Sequence, residues 1–172
     1  MDELGEPPVS APHPFGLWPA PAAGGFNPRV STGEREEFVA WFESRLVPAE
    51  RALHDGDAAP RSALWSRNAP VSVLGAWRSA TGREEVDDLF RRLAGSFSDC
   101  TSHAHELVAV DVVGDLAYTV GYEHTQASVD GVPRTYSLRV TQVYRREDGE
   151  WKVAHRHADT APDPDPDPGQ SG

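Results

Sequence analysis

The stretch Trp151-Lys-Val-Ala-His-Arg-His-Ala-Asp159 closes a segment, Cys100 to Asp159, whose reading decides the fold of this chain. Three glycine turns, Gly114-Asp115, Asp130-Gly131 and Asp148-Gly149, divide that segment into four long runs rich in Val, Thr and Tyr. Such residues suit a pleated, half-buried surface, and Asp-Gly is a strong two-residue hairpin signal, so the reading is a four-stranded antiparallel meander. A strand repeats every second residue, which aims Trp151, Val153, His155, His157 and Asp159 at one face of the last strand. A face that is apolar at one end and ionisable at the other suits the floor of a polar-bottomed pocket. It equally suits a half-buried strand running out to solvent.

Hairpin arithmetic extends the reading inward. A two-residue turn at Asp148-Gly149 pairs Tyr144 with Val153, Gln142 with His155 and Val140 with His157. Directly opposed residues share a face, so Gln142, Tyr144, His155, His157 and Asp159 lie together, and the other two turns add Thr119, Glu123 and Glu106. His103, His105, Tyr118, Tyr122, His124 and Arg139 fall on the opposite, polar-aromatic face. A bulge anywhere would invert the list beyond it.

Upstream, Ser31-Thr-Gly-Glu34 offers N-cap residues before a helix over 35–47, where Phe38, Trp41, Phe42 and Leu46 form an apolar stripe. Pro48 opens a new helical turn, and pieces over 49–54 and 57–66 hinge at Asp55-Gly56. Short strands are expected at 71–74 and 76–79 around Gly75. A stronger helix over 84–97 carries Val86, Leu89, Phe90, Leu93 and Phe97 on one side. Helices first, then a short hairpin, another helix and a continuous antiparallel sheet make an α+β fold with helices gathered on one face of a curved sheet.

The ends read differently. Residues 1–33 repeat Pro, Gly and Ala without helical or strand period, and 161–172 alternate Asp with Pro. Neither composition builds a core, so both are expected to be disordered around one domain at 34–160 of the 172 residues. A formal net charge of −11 repels phosphate backbones and argues against a nucleic-acid partner. No apolar run is long enough for a membrane helix, and the N-terminus is acidic where a signal peptide would be basic, so a cytoplasmic location is expected. Cys100 stands alone, which excludes an intrachain disulfide and a thiolate cluster. The pairs His103/His105 and His155/His157 invite a zinc reading, but the strands bearing them lie about 14 Å apart at ordinary sheet spacing and the pairs fall on opposite faces. Neither a metal nor a cofactor is expected.

The segments 63–66 (Ala-Leu-Trp-Ser), 71–75 (Val-Ser-Val-Leu-Gly), 114–121 (Gly-Asp-Leu-Ala-Tyr-Thr-Val-Gly) and 139–157, with its basic pair, acidic-glycine turn, Trp and His-x-His, resemble the nuclear transport factor 2-like superfamily. The resemblance is to its SnoaL-like branch, with ketosteroid isomerases and the association domain of calcium/calmodulin-dependent kinase II as further members. It covers about 34–160. It implies a cone-shaped α+β fold, with a curved antiparallel sheet and helices packed on its concave face. It further implies a pocket for a small apolar or carbonyl-containing molecule and a homodimer formed through the outer sheet face. An isomerase-like or cyclase-like reaction would use Asp159 or Glu123 as base, with His157 and Gln142 polarising an oxygen. Trp41, Trp65 and Trp77 would line the cavity with Thr119, Tyr144 and His155, or serve as plain core. Because this scaffold also hosts non-catalytic modules, ligand binding or assembly alone stays open.

Overall fold

The computed structural model describes residues 32–161, so the arm and tail expectations fall almost wholly outside the described residues. Helix α1 (Thr32–Trp41) runs through a π-helical turn (Phe42–Leu46) into α2 (Val47–His54), with Pro48, which has no N–H to donate, placed just after the π-helical turn. After α3 (Ala59–Leu64) come β1 (Ser72–Leu74), β2 (Ser79–Thr81) and α4 (Arg83–Ser96). The meander follows as β3 (Phe97–Val113), β4 (Leu116–Val129), β5 (Val132–Glu147) and β6 (Glu150–Thr160). Asp130-Gly131 and Asp148-Gly149 have positive φ at both positions, as a tight hairpin turn requires.

The six strands form one sheet in the order β2-β1-β6-β5-β4-β3. The β1–β2 hairpin joins the meander by parallel pairing of β1 to β6, with Val73 opposite Arg156. The second short strand begins later than expected, because the Gly75–Arg78 stretch is spent on the turn: the Gly75 N–H donates to the Arg78 carbonyl at 3.0 Å. The helices cover the concave face. Phe38, Phe42, Leu46 and Leu53 pack with Trp65, Phe90, Tyr144, Trp151 and Val153 in one core, where Tyr144 and Trp151 meet Phe38 edge-on at 4.9 and 5.2 Å. Aromatic pairs in this geometry stabilise by about 0.5–1.5 kcal/mol beyond their burial.

Of three register shifts in the sheet, two set which residues face that core; the third, between Ser98 and Ser102, spends two extra residues and leaves the faces unchanged. In β6 the register passes from Val143 opposite His155 to Tyr144 opposite Val153, leaving Ala154 as the extra residue. In β3 it passes from Leu107 opposite Gly121 to Ala109 opposite Val120, leaving Val108 extra and more than half exposed. Each extra residue exchanges inside for outside along the rest of its strand. Trp151 and Val153 therefore face in as expected, but beyond the bulge Arg156 and Ala158 are the buried residues. Gly121 belongs to the second bulge: a Cβ there would lie 2.0 Å from the Glu106 carbonyl oxygen, so only glycine lets β3 cross so close.

Candidate functional site

The bulges correct the expected floor. His155, His157 and Asp159 point away from the helices, on the outer face. His155 Nδ1 is 2.8 Å from the Ser72 hydroxyl, and Asp159 takes two hydrogen bonds from Arg139 at 3.0 and 2.6 Å. His157 and Asp159 do lie together, but along an open outer hollow shared with Tyr122, Arg139 and Thr141. Glu106 also turns outward, 3.7 Å from His124. Conversely His103 and His105, expected outside, face the interior. Thr119, Glu123, Gln142 and Tyr144 face in as expected, because β4 and β5 pair with each other without any register shift.

The inner floor is a buried polar cluster. Arg156 grips Glu123 with both guanidinium nitrogens, at 2.5 and 2.6 Å, with neither side chain more than 7% exposed. Burial alone would raise the Glu123 carboxyl, but the Arg156 charge and its hydrogen bonds outweigh burial and hold it well below the usual range. Burial alone would lower Arg156, but its attraction and hydrogen bonds to Glu123, with the Glu50 charge beside it, together outweigh burial and push it upward. A second fully buried pair stands beside the first: Arg61 Nε lies 3.2 Å from Glu50 Oε1, and the guanidinium stacks 4.4 Å above the Phe90 ring. Burial pulls Arg61 downward. Two carboxylates and two guanidiniums leave this floor with no surplus charge.

Three imidazoles flank it. His54 Nδ1 is 2.8 Å from the Glu50 backbone carbonyl, which only accepts, so Nδ1 carries the hydrogen and Nε2 keeps a lone pair. Burial lowers its pKa, so it is neutral at pH 7. His103 stacks on His54 at 4.7 Å and is pushed down to about 3, chiefly by burial. His103 Nε2 lies 3.0 Å from His105 Nε2, and its Nδ1 lies 3.0 Å from the Thr125 hydroxyl. Tyr136 sits directly across from Thr125 in the sheet. Its phenol is raised by burial, and its hydroxyl lies toward Thr125 without closing a hydrogen bond to any described protein group.

A cavity of about 60 Å³ opens over this floor. His54, Arg61, Glu123, Tyr136 and Arg156 form its polar end, while Leu53, Val73, Leu89, Phe90 and Leu138 supply apolar walls. The Gly75–Arg78 turn makes its mouth, with the half-exposed Trp77 edge-on to Tyr136 at 5.4 Å. Of the expected aromatic lining, then, Trp77 alone touches this cavity. Trp65 is core, packed on Phe90 at 5.1 Å, and Trp41 packs on Phe38 and Tyr144. Tyr144 and Thr119 bond each other at 3.0 Å behind the floor, and Gln142 is buried beside them.

Sequence reasoning passed over Glu50, His54, Arg61, Tyr136 and Arg156. One signal was available for Glu50, a carboxylate set four residues after Leu46 and three before Leu53 in an apolar helical stripe. Another was the adjacent apolar pair Val153-Ala154, which breaks strict alternation where the bulge falls. Among the described residues no group of three or more His, Cys, Asp or Glu is arranged to hold a metal.

A helix-covered curved sheet enclosing a hollow is the architecture of the nuclear transport factor 2-like cone. A ketosteroid isomerase-like protein from Erwinia carotovora atroseptica superposes with a TM-score of 0.60 at 17% identity, over 73% of this chain and 98% of that one. A proposed dehydratase of the NTF2-like family from Streptomyces avermitilis also gives 0.60, at 22% identity over 76% and 98%. An NTF2-like protein of unknown function from Pseudomonas putida gives 0.58, at 23% identity over 79% and 92%. These likenesses establish the fold. No curated protein matches the chain in sequence. The SnoaL-like domain matches residues 34–162, most of the chain, and the chain belongs to that family. No helix among the described residues is long and apolar enough to cross a membrane.

Proposed function

We propose that this SnoaL-like domain captures a small neutral carbonyl compound in the cavity under Trp77 and transfers a proton on it without a cofactor. The observation that carries this reading is the buried Tyr136 hydroxyl. It lies toward Thr125 without closing a hydrogen bond to a described group, beside a neutral His54, in a hollow with apolar walls. The two ring centroids lie 6.4 Å apart, near enough for both side chains to reach one small ligand once the mouth opens. In this reading the ligand oxygen accepts from Tyr136. The His54 Nε2 lone pair takes a proton from the neighbouring carbon, and the electron pair of the broken C–H bond moves onto the oxygen as an enolate. Return of the proton to a different carbon completes an isomerisation. Glu123, held low by Arg156, serves as fixed countercharge and not as base.

At about 60 Å³ the closed cavity is less than half the ~150 Å³ that admits benzene, so Trp77 and the Gly75–Arg78 turn must swing outward for any larger ligand. A second reading, ligand capture without turnover, is favoured by one specific feature: no carboxylate on the floor is free of a guanidinium. In solution the chain is proposed to pair through its outer sheet face, where Val113, Leu116 and Tyr118 are exposed, and to work in the cytoplasm. Deuterium exchange separates the two site readings. Small ketones such as cyclopentanone are incubated with the protein in deuterated buffer and followed by NMR. The enzyme reading expects exchange of the α-protons above the buffer rate, abolished in His54→Gln. Binding without exchange leaves capture alone, and no binding removes both.

A further inference from the structure

Behind the cavity wall, four side chains in line connect the buried carboxylate to the residue facing Tyr136. His105 Nδ1 stands 3.7 Å from Glu123 Oε1. His105 Nε2 meets His103 Nε2 at 3.0 Å, and His103 Nδ1 meets the Thr125 hydroxyl at 3.0 Å. We propose that His105, His103 and Thr125 form a hydrogen-bond relay whose polarity is fixed by the Glu123 charge facing His105, which lets Tyr136 serve both members of a carbonyl and hydroxyl pair. The proposal deepens the carbonyl reading of the cavity and rests on it for the role of Tyr136, but not for the polarity.

The polarity follows from which groups only accept. An ionised carboxylate has no proton to give, so it favours the hydrogen of His105 on the facing Nδ1. With its one hydrogen on Nδ1, His105 offers a lone pair at Nε2, and His103 must supply the hydrogen of that bond from its own Nε2. His103 is left with a lone pair at Nδ1, so the Thr125 hydroxyl donates to it. The reverse order would turn a lone pair of His105 toward the carboxylate. The close stack of His54 on His103 and the burial of His103 keep His103 free of an added proton, since a charge there would be poorly solvated and would face Arg156.

With its proton committed to His103, Thr125 presents a lone pair on its other side, toward Tyr136 across the strand pair. Tyr136 then has two uses. It donates to a ligand carbonyl, or it turns its proton to Thr125 and accepts from a ligand hydroxyl. A carbonyl that becomes an enol and returns needs both. Glu123, His105, His103 and Thr125 are positioning residues here, since none of them need touch the ligand.

The imidazole tautomers of the ligand-free, full-length protein decide the polarity by nitrogen NMR. The relay expects the Nδ1–H form at His105 and the Nε2–H form at His103, with the His103 Nδ1 resonance shifted in Thr125→Val. The opposite tautomer at either histidine overturns it, and the wild-type spectrum suffices if the variant does not fold. The role of Tyr136 is read from cyclopentanol and cyclopentanone affinities in Thr125→Val. The alcohol should weaken about tenfold and the ketone less than twofold. An equal loss of both would reduce Thr125 to packing and overturn that role. Failure of the wild type to bind either compound would remove the carbonyl reading, and the role of Tyr136 with it, while the tautomers still decide the polarity.

Discussion

Arg156 with Glu123 and Arg139 with Asp159 are the same chemical pair, a guanidinium gripping a carboxylate through two bonds, on opposite faces of one sheet. The inner pair is sealed, while both outer side chains are about half exposed. In water the outer charges lose little by separating, since solvent replaces the partner. Inside, either group left alone keeps its burial and loses its compensation. The contrast teaches that the face a residue occupies, which the bulge sets, and not residue type, decides whether a pair in this sheet is structural.

Substitutions sharpen that contrast. Arg156→Met should cost about 3–5 kcal/mol in urea unfolding, because it strands Glu123. Arg139→Met should leave the midpoint essentially where it is. Gly121→Ala attacks the geometry directly: with its Cβ 2.0 Å from a backbone oxygen, it should cost about 1–3 kcal/mol or more, and chemical shifts along the β3 bulge should move with it.

Acid provides a milder probe. His103 is lowered in the folded state to about 3, against an ordinary 6.5, so the unfolded chain binds its proton first. The stability it contributes is present above about 6.5 and is lost as pH falls toward about 3, with a slope approaching 1.4 kcal/mol per pH unit. His54 shifts in the same direction and adds to the loss. His103→Gln should flatten that part of a stability-versus-pH curve, and an unchanged slope would place His103 in water. Smallest of all on stability, Tyr136→Phe should leave unfolding nearly unchanged while weakening ketone binding about five- to tenfold, the weight of one hydrogen bond.

The fold was legible because its signals are local. Three glycine turns announce four strands, and the stripe of Phe38, Phe42 and Leu46 announces the covering helix. Within the site, legibility stopped at the bulges. Thr119, Glu123, Gln142 and Tyr144 were placed on the correct face, since they lie on β4 and β5, the middle strands of the meander, whose mutual register is unbroken. The extra residues Val108 and Ala154 sit in the flanking strands β3 and β6. Parity arithmetic therefore misassigned His103 and His105 to the outside and His155, His157 and Asp159 to the inside. Arg61 and Glu50 were illegible for another reason: they are ion-paired across separate helices, and spacing along one element does not reveal a partner on another.

A double-mutant cycle between Glu123 and Arg156 tests the inversion most directly. Glu123→Gln, Arg156→Met and the combined variant would each be unfolded in urea. The inverted strand predicts that each single change is costly and that the double variant loses at least 1 kcal/mol less than the sum, the signature of contact. Additive losses would mean that Arg156 does not reach Glu123, and that the terminal strand turns its histidines inward after all.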